Sequence, residues 1–77
     1  MLEMIEFNNV LYRYRTETTE CGIVYNLRYG TILIVKGKVK DIIEKSLETG
    51  ELLLNTENKA INYLLENKVF VRKELNR

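Results

Sequence analysis

The 77-residue sequence has no histidine, no proline, no tryptophan and a single cysteine, Cys21. Each absence excludes something. Without imidazoles, and with one thiol, a Cys/His metal site cannot be assembled. Cys21 has no partner for an internal disulfide, which suits a reducing compartment. As a nucleophile it would lack a histidine base; beside Gly22 it reads as a small apolar residue opening a strand. No apolar run approaches the roughly 18 residues that a membrane span requires, and Glu3 and Glu6 interrupt any signal-peptide pattern. A globular, cytoplasmic protein is expected.

Charge is almost balanced. Twelve basic and 11 acidic residues leave a net charge of +1, so no strong field draws in nucleic acid. With no proline and four glycines, the chain holds no linker or low-complexity tract. Residues 1–77 read as one domain, near the lower limit of what folds unaided.

The first half is patterned for strands. "FNNVLYRYR", residues 7–15, alternates, with Val10, Tyr12 and Tyr14 on one face and Leu11, Arg13 and Arg15 on the other. The polar "TETTE" reverses the chain, and "CGIVYNL" follows, with Ile23, Tyr25 and Leu27 sharing a face. Arg28-Tyr29-Gly30 is a tight connection in which Gly30 supplies a positive φ. Thr31-Ile32-Leu33-Ile34-Val35-Lys36 is then a third strand, and two short reversals make an antiparallel meander. The second half is patterned for helices. "KVKDIIEKSLE" sets Val39, Ile42, Ile43 and Leu47 on one stripe, with Asp41 and Lys45 paired outside, and Gly50 ends it. "ELLLN" suits a single helical turn. Thr56 or Asn55 then caps "ENKAINYLLEN", whose buried stripe is Ala60, Ile61, Leu64 and Leu65. "VFVR", residues 69–72, is strand-like and could pair with the sheet. The order is β-β-β-α-(turn)-α-β, an α+β domain with its helices on one sheet face.

Catalytic signatures are missing. Glu17 and Glu20 fall in a loop, and Glu44 and Glu48 on a polar helix face, where solvated surface is the expected role. There is no P-loop or glycine-rich phosphate cradle. Tyrosines interleaved with arginines could stack on single-stranded nucleic acid, but Tyr12 and Tyr14 share a face with Val10 and read as core-edge residues. The third strand is the unusual one. Thr31 to Val35 has no internal charge, and lysines stand only at its end, at Lys36, Lys38 and Lys40. At the edge of a meander it offers unpaired N–H and C=O groups to an extended peptide, unless Val69-Phe70-Val71 or a second copy covers it.

The run Tyr25-Asn26-Leu27-Arg28-Tyr29-Gly30, followed by Thr31 to Val35, resembles the hairpin near the N-termini of radical-SAM peptide maturases. The helix Lys38–Leu47, the break Gly50-Glu51-Leu52 and the stretch Leu64 to Val71 continue that likeness. The module resembled is the RiPP recognition element, a winged-helix-like domain also seen in the peptide chaperone of PQQ biosynthesis, and the likeness spans about residues 7–72.

The resemblance implies a non-catalytic domain without cofactor or metal: a three-stranded meander, two or three helices and a short C-terminal strand. It implies capture of a precursor's leader segment as an added antiparallel strand, and its presentation to a radical-SAM or other modifying enzyme. Carried onto this chain, the edge is Thr31, Ile32, Leu33, Ile34, Val35 and Lys36. The groove wall is the helix 57–67, with Lys59, Asn62, Tyr63 and Glu66 on its flank. Either Ile32, Ile34 and Lys36 or Leu33 and Val35 face that groove. The three-cysteine cluster motif of a radical-SAM enzyme is absent, so the chain is expected to be free-standing or the front end of a larger enzyme. Neither nucleic acid nor membrane is expected as a partner. Two other readings share the pattern: a winged-helix DNA-binding regulator, and a structural homodimer paired through the same strand.

Overall fold

The computed structural model describes residues 3–73. Six strands and two helices follow in the order β1 (Met4–Phe7), β2 (Tyr12–Thr16), β3 (Cys21–Asn26), β4 (Ile32–Lys36), α1 (Gly37–Thr49), β5 (Leu52–Leu53), α2 (Lys59–Glu66) and β6 (Phe70–Arg72). They build two three-stranded antiparallel sheets, β5-β1-β6 and β2-β3-β4. The α+β class and the meander are as expected. Its surroundings are not.

The alternating run 7–15 is two strands rather than one. Asn8 and Asn9 break it, since the Asn8 side chain accepts from Leu11 N–H while the Asn8 carbonyl accepts from Tyr12 N–H at 3.0 Å. Phe7 therefore closes β1, and Val10 is left 86% exposed on the turn. "ELLLN" does not form a helical turn: Leu52 and Leu53 pair with Ile5 and Met4. The C-terminal "VFVR" does not join the meander either. Phe70, Val71 and Arg72 pair with Phe7, Glu6 and Ile5 in the other sheet.

Local chemistry sets the helix ends. Gly50, at φ 92°, donates its N–H to the Ser46 carbonyl and closes α1. The cap of α2 is Asn58, not Thr56 or Asn55; its side chain accepts from Ala60 and Ile61 N–H at 3.0 and 3.2 Å. On α1 the inward side lies off the expected stripe. Ile43 is fully buried, Val39 and Ile42 are half-buried, Leu47 is exposed, and Lys40 and Ser46 are buried instead.

One core joins the sheets and helices. It holds Ile5, Phe7, Val24, Val35, Ile43, Ile61, Leu64, Val69 and Phe70. On β3 the buried residues are Gly22 and Val24, so Ile23 and Tyr25 lie on the opposite face, and Leu27 is exposed beyond the strand. Phe7 and Phe70 meet edge to face, with ring centres 6.4 Å apart.

Candidate functional site

Every open sheet has two edges, and each edge is a hazard that sequence or structure must blunt. In the β5-β1-β6 sheet both edge strands are very short, two and three residues. In the meander, β2 carries Arg13 and Arg15 along its edge, the latter ion-paired with Glu17. The β4 edge has neither protection. Among the described residues nothing pairs with its outer side, and from Ile32 to Val35 it has no charge.

The ladder fixes which groups point outward. Asn26 N–H donates to the Thr31 carbonyl at 2.8 Å. Bonding direction alternates along an antiparallel strand. So Thr31, Leu33 and Val35 turn their backbone groups to β3, while Ile32, Ile34 and Lys36 turn theirs to the open edge. The β2 side agrees: Glu17 N–H donates to the Cys21 carbonyl and Leu27 N–H to the Leu11 carbonyl, so β3 bonds β2 through its odd-numbered residues.

Side chains follow the same alternation. Ile32 and Ile34 are 55% and 58% exposed and Lys36 is also exposed, all on the outer face. Val35 is buried in the core and Leu33 packs at its margin. Of the two faces left open by the sequence, it is therefore that of Leu33 and Val35 that turns toward the helices. Ile32, Ile34 and Lys36 present backbone to the edge, not side chains to a groove.

α2 packs on α1 and β6 but not on β4, and a hollow lies near each end of α2. One, of about 220 Å³, is lined by Thr31, Ile32 and Leu33, by Tyr12 and Val24 of the sheet, and by Asn67 and Val69 just past α2. The other lies between Lys38 in the first turn of α1 and Asn58, Lys59 and Ala60 at the start of α2. Ala60 and Asn67 are seven residues apart, so they share one side of the helix. Tyr63, 41% exposed, lies between that side and the Lys59–Glu66 flank.

The expected helix residues thus divide. Lys59 lines a hollow, whereas Tyr63 lines neither of the two. Glu66 is exposed one flank away. Asn62 points elsewhere, its side-chain amide donating to the Thr56 carbonyl at 2.7 Å. Tyr12 and Asn67 belong to the site although the sequence did not single them out for it; the Tyr12 hydroxyl donates to the Asn67 carbonyl at 3.0 Å and ties the meander to the end of α2. Only tertiary contact brings them together.

A polar cluster anchors the meander to α1. Glu44, expected as solvated surface, accepts from the Tyr14 hydroxyl at 2.6 Å, from Thr16 at 3.1 Å and from the buried Lys40 ammonium at 2.9 Å. The Tyr14 hydroxyl, and then Lys40, hold the Glu44 carboxyl below the usual glutamate range. Burial and the adjacent carboxylate raise Tyr14, and Glu44 raises Lys40.

The signs follow by linkage. A carboxyl lowered on folding stabilises above its unfolded pKa and loses that contribution as pH falls through the folded value. Groups raised on folding stabilise below their unfolded values and lose it as pH rises through the folded ones. Stability should be flat near neutrality and decline in acid below about pH 4.5, the ordinary glutamate value, and in strong alkali. Urea midpoints measured against pH check this: the gap between wild type and Glu44→Gln should be widest near neutrality and close in acid. A constant gap would mean that the carboxylate charge contributes nothing.

Among the described residues, no group of three or more acidic or cysteine side chains is placed to hold a metal ion, and no helix is long and apolar enough to cross a membrane. Comparison of the chain with protein-family models, curated proteins and solved structures gives no match.

Proposed function

We propose that this chain is a peptide-capture module that receives an extended segment as an additional antiparallel strand on β4. The carrying observation is the contrast among edges: three are short or charged, and the fourth is five residues long and uncharged from Ile32 to Val35. Guest residues bonded to Ile32, Ile34 and Lys36 would place their side chains on the outer face. Those opposite Leu33 and Val35 would turn inward, toward the hollow at Tyr12, Leu33 and Val69 and the α2 side bearing Ala60 and Tyr63. Backbone bonds supply affinity and the inward pockets supply selectivity.

The resemblance to a RiPP recognition element makes the guest the leader segment of a ribosomally made precursor, handed to a radical-SAM or other modifying enzyme. On this reading the domain is winged-helix-like, with the meander as its wing and α2 as the groove wall, and β1, β5 and β6 form an added sheet that holds α2 in place. Catalysis belongs to the partner. α2 carries both lysine and glutamate on its exposed flank and makes a poor surface for the DNA groove.

The test is binding of a labelled peptide from a short reading frame neighbouring this gene. Saturable binding at tens of micromolar or tighter is expected; its absence would count heavily against the reading. Two proline variants locate the site. Ile34→Pro removes an outward N–H and should weaken capture about tenfold or more while the fold persists, the equivalent of one hydrogen bond. Leu33→Pro removes an N–H directed at β3 and should lower the melting temperature instead. If the two variants behave alike, the assigned ladder direction is wrong.

A further inference from the structure

We propose that β4 also pairs with β4 of a second copy of this chain, about a two-fold axis at Ile34, and that this self-pairing occupies the edge until a peptide displaces it. The displacement rests on the peptide-capture reading; the pairing rests on the edge alone.

The register follows from the ladder. A two-fold axis perpendicular to the sheet joins outer face to outer face, so directly opposed residues must have the same parity. With the axis at Ile34, the outward N–H and C=O of Ile34 meet those of Ile34 in the other copy. Ile32 meets Lys36 of the other copy, and Lys36 meets its Ile32. Every outward backbone group of β4 is then bonded in both copies. An axis at Leu33 would set Lys36 against Gly30, which lies in the turn at φ 72°. An axis at Val35 would set Ile32 against Lys38, already inside α1. The Ile34 register is the complete one.

Charge and surface favour the same arrangement. The two Lys36 ammonium groups lie at opposite ends, four residues or about 13 Å apart along the strands, beyond the Debye length of about 8 Å. Ile32 and Ile34 are more than half exposed, and Ile23 and Tyr25 stand beside them in register on β3. Pairing would join these residues into one apolar band across a six-stranded sheet, with Ile34 opposite Ile34 at its centre. The β2 edge would bring arginines together instead.

Sedimentation velocity from low micromolar to near-millimolar concentration tests the proposal. The wild-type chain should pass from monomer to dimer. Ile34→Lys opposes two ammonium groups at the axis, and Ile32→Lys opposes one to Lys36 of the other copy. Each should weaken dimerisation about tenfold or more, with an unchanged melting temperature at low micromolar concentration, where both chains are monomeric, because both side chains point away from the core. A synthetic peptide of residues 30–37 of this chain should dissociate the wild-type dimer. A wild-type chain monomeric throughout, a dimer that survives both substitutions, or one that this peptide leaves intact would overturn the proposal. Failure of the capture reading would register separately, as no saturable leader binding by the wild-type chain at low micromolar concentration, where it is monomeric.

Discussion

Phe70→Ala should leave no folded majority at room temperature. Phe70 is almost fully buried, sits opposite Phe7 in the β1–β6 ladder, and meets its ring edge to face. Truncating a buried phenylalanine costs about 3–5 kcal/mol, while a domain this small has a net stability of only about 3–5 kcal/mol. The two figures are equal, so no folded majority survives. The loss reaches the site because α2 runs through the buried Val69 directly into β6. Without that anchor α2 has no fixed position. Circular dichroism melting checks it: Phe70→Leu, which keeps most of the volume, should still melt cooperatively and Phe70→Ala should not. A wild-type transition in Phe70→Ala would show that the small sheet is dispensable.

Gly22→Ala should be the most damaging of the small substitutions. A Cβ on Gly22 would lie 2.3 Å from the Tyr14 hydroxyl and 2.5 Å from the ring Cε1. The ring cannot simply swing aside, because its hydroxyl is held by Glu44. Overpacking of this kind costs about 1–3 kcal/mol, and displacing the ring adds the hydrogen bond, about 1 kcal/mol. Denaturant midpoints in a double-mutant cycle separate this from an ordinary loss of strand glycine. In a Tyr14→Ala background the obstruction is gone, and Gly22→Ala should become nearly neutral. Equal costs in both backgrounds would clear the tyrosine.

On the proposed reading, capture and stability draw on different parts of the molecule. Tyr14, Gly22 and Glu44 lock the meander to α1 on its inner side. The outward amides of Ile32, Ile34 and Lys36 take no part in that lock, so they can be altered while the fold persists.

Much of this was legible in the residues. Alternation at Tyr12 to Arg15 and Thr31 to Lys36, the turn glycine at Gly30 and the stop at Gly50 are local signals, and each led to the right element. The Asn8-Asn9 break was overridden by an alternation that runs straight through it. Leu52-Leu53 and Val69 to Arg72 were harder, because both are short and apolar and depend on β1 as their partner. With β1 unrecognised, the C-terminal strand could only be assigned to the meander. Glu44 looked solvated because it lies among charged helix residues; its three partners come from β2 and from one turn away on α1.

By itself the sequence determined that a charge-free strand would stand at the rim of a meander with helices behind it, since periodicity, turn glycines and helix stops act over a few residues. Only the tertiary structure decided that Phe70, Val71 and Arg72 would join β1 and, among the described residues, leave that rim unpaired, and that Ile34 rather than Leu33 would turn its amide outward. Both depend on which strand lies alongside, and a strand carries no mark of its neighbour until the chain has closed around its core.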